Sequence, residues 1–136
     1  MARVIDQEAM GRILLFENIT GAGARDSIQG ETLLFIVEPG KMGLAIGKEG
    51  RTLARLENTF KKPVKLVEYA ETVEPFIRNI VKPLFKFDVE TQEKKVVIKG
   101  HDTKTKGLLI GREHANLKKL VELVQRHFDV EDIVVV

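Results

Sequence analysis

A glycine turn that occurs twice in one register constrains the fold of this chain more than any other feature. The first copy reads Ile46-Gly47-Lys48-Glu49-Gly50-Arg51, and the second, Ile110-Gly111-Arg112-Glu113-His114, begins 64 positions later. At this offset glycine, aliphatic and charged positions agree together: Gly43 with Gly107, Leu44 with Leu108, Ile46 with Ile110, Glu49 with Glu113, Leu53 with Leu117 and Leu56 with Leu120. Agreement of several residue classes in one register predicts an internal duplication, so the chain should contain two copies of one unit.

The chemistry of the turn favours a phosphate-bearing backbone as ligand. Glycine lacks Cβ, so Gly47 and Gly50 can adopt positive φ and allow close approach of another chain. Lys48 stands at the tip, and a helix that begins at Arg51 would direct its first N–H groups into the turn and place Arg51 and Arg55 on one face. The second copy keeps the charge with Arg112 but has His114 where the first has Gly50.

Composition limits the possible classes. With 43% apolar and 31% charged residues the chain is expected to be folded, and two units of half its 136 residues would each be marginal unless they pack together. The absence of Cys excludes disulfides and thiolate metal sites. No apolar run is long enough to span a membrane and no signal peptide is evident, so we expect a cytoplasmic protein without a membrane partner. The net charge of +2 does not by itself indicate nucleic acid.

Periodicity predicts the same element order in both halves. In the first half, Ile5, Ala9, Ile13 and Phe16 indicate a helix that ends near Thr20, and strands are predicted at 24–29, 32–37 and 64–69. A short helix at 41–46 precedes the turn, and Leu53, Leu56 and Phe60 mark the buried side of the helix that follows it.

The second half is predicted to repeat this order. Thr72 caps a helix that ends before Pro83, and strands are predicted at 85–90, 95–99 and 133–136, with a turn at 91–93. A helix capped by Asp102 or Thr103 runs to Ile110, and the next helix buries Leu117, Leu120, Val121 and Val124. The predicted fold class is α+β, with each half reading α-β-β-α-α-β around a small sheet covered by helices on one face.

This I-G-x-x-G turn between two helices, in that element order, resembles the KH domain in its prokaryotic, type II topology. Two such units without a linker resemble the short archaeal form of the NusA family of transcription termination and antitermination factors. The resemblance implies two tandem KH domains, residues 1–70 and 71–136, and a function in RNA binding without enzymatic activity or cofactor. It implies single-stranded RNA as ligand, because KH domains clamp nucleotide backbones with a GxxG loop, and RNA polymerase as a candidate second partner.

The residues that the resemblance assigns to RNA lie in and around the two turns. They are Ile46, Gly47, Lys48, Glu49, Gly50, Arg51 and Arg55 in the first copy, and Ile110, Gly111, Arg112, Glu113 and His114 in the degenerate second. Leu44, Ile46, Leu108 and Ile110 could form the apolar groove of the family, although core packing is the favoured role for each, and the Phe residues are also expected in the core. On this interpretation Gly47→Asp should abolish RNA binding and leave the fold intact.

Other function classes remain open at this point. A P-loop is disfavoured, because its motif needs four residues between the glycines and a Ser or Thr after the lysine, where this chain has three and Glu49. The three histidines lack metal-ligand spacing, and the carboxylate pairs suit helix starts and turns better than catalysis. A KH protein-docking scaffold for polymerase or ribosomal partners and a ribosome-maturation factor are the alternatives, and the sequence does not indicate the oligomeric state.

Overall fold

A computed structural model of the chain describes residues 6–136. In that range the chain forms two compact units, one that ends at Ala70 and one that begins at Glu71. Each unit has its own three-stranded sheet and three helices, with two of the helices separated by the glycine turn. The α+β class expected from the sequence is therefore confirmed.

The first unit follows the predicted element order closely. Its elements are α1 (Gln7–Thr20), β1 (Ala24–Ile28), β2 (Leu33–Val37), α2 (Met42–Ile46), α3 (Arg51–Phe60) and β3 (Val64–Glu68). Helix α1 is capped by Asp6, whose side chain accepts a hydrogen bond from the Ala9 N–H at 2.7 Å. The sequence pattern extended this helix to Ile5, which lies outside the described residues.

The second unit repeats the order with one displaced hairpin. Its elements are α4 (Val73–Val81), β4 (Phe87–Gln92), β5 (Lys95–Gly100), α5 (Thr103–Ile110), α6 (Ala115–His127) and β6 (Asp132–Val135). The prediction of a strand at 85–90 was wrong by two residues, since β4 begins at Phe87. The hairpin turns at Glu93-Lys94, where Glu93 has φ 55° and Gln92 pairs with Lys95. Phe85 consequently lies in the connection before β4.

Both sheets have the same topology. Strands β1 and β2 pair antiparallel and β2 pairs parallel with β3, and β4, β5 and β6 repeat this arrangement. A parallel pair requires a crossover connection. In each unit that crossover contains the two helices that flank the glycine turn, so the turn is held between two elements that are anchored to the sheet.

The core of each unit fixes the position of its turn. In the first unit Leu33, Phe35 and Val37 alternate along β2 and are fully buried, and the Phe35 ring stacks on Phe16 of α1 at 4.5 Å. Ala45, just before the turn, and Leu56, after it, belong to the same buried cluster. The residues at the matching positions of the second unit, Leu109 and Leu120, are also buried.

Helix α6 differs in detail from its prediction. Leu120, Leu123 and Val124 are its buried residues, whereas Leu117 and Val121 are only partly buried. The expected N-cap of α4, Thr72, stands at that position without a side-chain hydrogen bond to the helix. Among residues 6–136 no helix is long and apolar enough to cross a membrane, and no group of His, Asp and Glu side chains is arranged to hold a metal ion.

Candidate nucleic-acid interface

The two glycine turns have nearly the same backbone. Gly47 lies at φ 77° and ψ 172°, and Gly111 at φ 75° and ψ 171°. The third residues agree equally well, with Glu49 at φ 55° and ψ 27° and Glu113 at φ 55° and ψ 31°. In both copies the first glycine donates its N–H back to the glycine four residues earlier, at 2.9 Å for Gly47 and 2.8 Å for Gly111. The duplication inferred from the sequence is therefore present in the geometry of the turns.

The first glycine of each turn is required by the fold itself. A Cβ on Gly47 would lie 2.2 Å from Thr52 Oγ1 and 2.8 Å from the Thr52 backbone nitrogen. A Cβ on Gly111 would lie 2.6 Å from Asn116 Cγ. Both glycines also have a positive φ with an extended ψ, a region that is essentially restricted to glycine. The change Gly47→Asp is therefore not expected to leave the fold intact, contrary to the expectation from the sequence.

The fourth position of the turn is different. Gly50 lies at φ 74° and ψ 15°, and a Cβ there would meet no atom within 4 Å. His114 occupies the same left-handed conformation at φ 63° and ψ 19°. Left-handed geometry costs a residue with a side chain about 1–2 kcal/mol. The second turn thus keeps the conformation of a GxxG loop at the expense of local strain.

The exposed tip of each turn carries a basic side chain next to an exposed glutamate. Lys48 and Arg112 are exposed and form no salt bridge with any residue from 6 to 136. Arg51 approaches Glu49 only at 3.7 Å between exposed side chains, a pair that contributes little to stability. Arg55, one helical turn further along α3, is also exposed. These side chains are available to an anionic ligand that lies along the turn and the start of α3.

Apolar side chains beside the turns are exposed, which corrects the preference for core roles. Leu44 is 50% exposed, Ile46 38% and Leu108 46%, and Ile110 is partly buried. The short helices instead bury Ala45 and Leu109, which lie between these residues. Leu44, Ile46 and Leu108 therefore provide apolar surface next to the positively charged tips, as a groove for bases would require.

A cavity of about 370 Å³ adjoins the second turn. It lies between α6 and β6, and its apolar lining comes from Leu117, Val121 and Ile133. His114 borders it at the end nearest the turn, and its charged lining residues are Lys118, Glu122 and Asp132. The residue at the degenerate fourth position thus contributes to the wall of an open cleft beside the turn.

Three features of the site were missed by the sequence analysis. The Asn116 side chain donates a hydrogen bond to the Leu108 carbonyl oxygen at 2.8 Å, which ties the start of α6 to the end of α5 across the turn. Val121 and Ile133 were assigned to elements, but not to a shared cavity. Phe85 was expected in the core and is 71% exposed. No local pattern reveals the Asn116 bond, since it depends on how the chain reverses at Gly111.

Helix α5 is well defined at the end opposite its turn. Asp102 caps it, and its carboxylate accepts a hydrogen bond from the Thr105 N–H at 2.7 Å. This hydrogen bond holds the pKa of Asp102 below its ordinary value. Because α5 leads directly into Gly111, the cap contributes to the placement of the second turn.

Comparison with known proteins agrees with these observations. The KH domain family matches residues 11–84, which include the first turn and end before the second. The probable transcription termination protein NusA of Halococcus morrhuae is 34% identical over 136 residues that cover 98% of each chain. The protein of the same name from Methanococcus vannielii is 33% identical, and the match covers 97% of this chain and 79% of that one. The crystal structure of APE1850 superposes with a TM-score of 0.78 at 30% identity, and the alignment covers 97% of this chain and all of that one.

The matches to the two NusA proteins extend over nearly the whole chain, and the KH domain match includes the first turn. Similarity of this extent and identity shows the family. The chain belongs to the archaeal NusA-like family of RNA-binding proteins with a KH domain.

Proposed function

We propose that both units are type II KH domains in tandem, with bounds 1–70 and 71–136, and that they clamp single-stranded RNA through the turns at 47–50 and 111–114. The protein would act on nascent transcripts in termination or antitermination, without a catalytic step. In this proposal Gly50 permits close approach of the sugar-phosphate backbone, and Lys48, Arg51, Arg55 and Arg112 neutralise phosphates. The apolar surface formed by Leu44, Ile46, Leu108 and Ile110 would receive bases.

The agreement of the two turns in backbone geometry is the observation that carries this proposal. The second turn has lost its last glycine and still keeps the left-handed conformation, with His114 at φ 63°. The cost of that conformation is easier to understand if the turn has a ligand that requires it. Single-stranded RNA fits better than a duplex, because bases can lie on apolar surface only where they are unstacked and unpaired.

The clamp can be tested by placing negative charge at the tip of the first turn. The test variant is the double substitution Lys48→Asp/Glu49→Asp. Lys48 and Glu49 are both exposed in the wild type, and Asp tolerates the left-handed conformation of residue 49. The matched control is Lys61→Asp, which makes the same change in net charge at the other end of α3, about 15 Å away along ten residues. Lys61 also has a positive φ, at 59°.

Fluorescence-anisotropy titration of single-stranded RNA should show at least about tenfold weaker binding for the double variant and a small change for the control. The slope of log affinity against log salt should become shallower by about 0.7 for each phosphate that the variant no longer neutralises. Arg112→Asp/Glu113→Asp applies the same test to the second turn. The clamp would be refuted if the wild type and both double variants bound RNA with equal affinity. If the Lys61→Asp control lost as much affinity as the double variants, binding would be unspecific charge attraction.

Docking to a protein such as RNA polymerase is a second candidate, because one surface of the first unit favours it. Helix α1 exposes Met10 and Leu14, which are four residues apart and therefore neighbours on one face, and it also exposes Leu15. Exposed apolar surface of this kind is typical of protein-binding sites. Binding of a purified archaeal RNA polymerase to wild type but not to Leu14→Lys, with RNA binding unchanged, would support this role.

A further inference from the structure

Phe85 is the most exposed large apolar side chain in the described part of the protein, at 71%. It lies between α4 and β4 in a connection whose backbone is fixed by three hydrogen bonds. The Leu84 N–H donates to Val81 O at 3.0 Å, the Phe87 N–H to Phe85 O at 2.9 Å, and the His101 N–H to Lys86 O at 2.8 Å. The exposed ring is therefore held on a defined backbone.

The fold does not require this residue. In the first unit the corresponding connection, between α1 and β1, consists of Gly21, Ala22 and Gly23, and Ala22 is buried. The second unit spans residues 82–86 at the same place and adds an aromatic ring and two lysines. The duplicated unit thus shows that the same architecture forms with a shorter connection that lacks the aromatic ring.

The charges around Phe85 favour an anionic partner. Lys82 and Lys86 are exposed, and neither forms a salt bridge with any residue from 6 to 136. Of the nearby carboxylates, Asp88 lies 3.1 Å from His101 Nε2, and Asp102 caps α5. The pKa of Asp102 is lowered by its hydrogen bond from the Thr105 N–H and also by the charge of Lys86, which therefore lies near this carboxylate. An aromatic ring flanked by exposed lysines that form no salt bridge is the combination that binds single-stranded nucleic acid, with the base on the ring and the phosphates near the ammonium groups.

Phe85 also lies at a suitable distance from the second turn. The hydrogen bond from His101 to Lys86 places this connection beside the start of α5, and Gly111 follows the end of the same helix. Eight residues of α-helix span about 12 Å, a distance that a short extended strand of RNA covers.

We propose that Phe85 is a stacking platform for an unpaired base of the RNA, beyond the nucleotides held by the second turn. The inference rests on the proposed RNA-binding function and adds a residue outside the glycine turns. In the second unit the platform would supply affinity that the loss of the fourth glycine removes from the turn. Lys82 and Lys86 would bind the phosphates on either side of the stacked base.

Substitutions at Phe85 separate stacking from plain apolar packing. Phe85→Ala should weaken binding of single-stranded RNA about 5- to 150-fold, the range measured for removing a base-stacking side chain. Phe85→Leu keeps an apolar side chain without a ring and should weaken binding nearly as much. Phe85→Trp should bind at least as well as wild type. Because the chain contains no other Trp, the emission of Phe85→Trp reports this position alone, and RNA should quench it in a saturable way.

The controls distinguish failure of this inference from failure of the proposed function. Leu14→Ala truncates another exposed apolar side chain, in the first unit, and should leave RNA affinity unchanged. Wild-type affinity of Phe85→Ala or Phe85→Leu, or no quenching of Phe85→Trp at RNA saturation, would overturn the platform. If Phe85→Ala bound RNA like the wild type while Lys48→Asp/Glu49→Asp bound it weakly, the clamp would be supported and only the stacking platform would be refuted.

Discussion

The two glycines of the first turn should respond very differently to the same substitution. Gly47→Ala must place a methyl group at φ 77° and ψ 172°, where it would also meet Thr52 Oγ1 at 2.2 Å and the Thr52 nitrogen at 2.8 Å. The hydroxyl can rotate away, but the backbone nitrogen belongs to the first turn of α3 and can move only with the helix. Strain in this region costs about 1–3 kcal/mol, and overpacking adds about 1–3 kcal/mol. We expect Gly47→Ala to lower the free energy of unfolding by about 3 kcal/mol or more.

Gly50→Ala introduces the same methyl group into open space. Its φ of 74° and ψ of 15° lie in the left-handed region that His114 already occupies in the second unit. The strain of about 1–2 kcal/mol is partly offset, because alanine loses less backbone entropy than glycine on folding. The expected loss of stability is therefore about 1 kcal/mol. Gly43→Ala serves as a matched control, because Gly43 lies inside α2 with nothing within 4 Å of an added Cβ, and it should stabilise the protein by about 0.5–1 kcal/mol.

Thermal and urea unfolding followed by far-UV circular dichroism would measure all three variants. For a unit of this size each 1 kcal/mol corresponds to a shift of about 4–8 °C in melting temperature. The predicted order of stability is Gly43→Ala, wild type, Gly50→Ala and then Gly47→Ala. If Gly47→Ala were no less stable than Gly50→Ala, the close approach of the first glycine to Thr52 would not constrain the turn, and the structural role assigned to Gly47 would be wrong.

Two further predictions concern the second unit. His114→Gly should raise the free energy of unfolding by up to about 1 kcal/mol, because relief of left-handed strain of about 1–2 kcal/mol exceeds an added entropy cost of about 0.5–1 kcal/mol. A lower melting temperature for His114→Gly would mean that the imidazole makes stabilising interactions at the cavity. The pKa of Asp102 is lowered in the folded protein, so its contribution to stability is complete above its ordinary pKa and is lost as the pH falls through the folded value. Acid unfolding of Asp102→Asn should accordingly depend less on pH than that of wild type, and identical acid transitions would contradict this assignment.

The sequence was sufficient to predict elements whose periodicity and boundary signals agree. Helix α1, strand β2 and both glycine turns are of this kind, since apolar spacing, glycine and proline all indicate the same boundaries there. The hairpin of β4 and β5 lies two residues later than predicted, because the alternating pattern of residues 85–90 continues through Gln92. The position of its turn depends on a positive φ at Glu93, which the residue type does not predict.

The exposure of apolar side chains was less predictable from the sequence than the positions of the helices and strands. Leu44, Ile46 and Leu108 have the composition of core positions, and in a short helix the side that faces the core is set by the neighbouring elements. The structure buries Ala45 and Leu109 instead. Phe85 is a similar case, because an alternating pattern placed it in a strand where its side chain would have been buried in the core. Residue type alone cannot distinguish a side chain that completes a core from one that provides a binding surface.

The duplication makes each unit a control for the other. Positions that the fold requires keep the same role in both copies: Gly47 and Gly111 both lie against the side chain five residues later, and Ala45 and Leu109 are both buried. The fourth position of the turn differs between the copies, and there the structure leaves room for a side chain. The connection before the first strand of the sheet also differs, with a buried alanine in one unit and an exposed phenylalanine in the other. Because the shared architecture forms with either residue at these two places, the fold itself does not require the differences between the units.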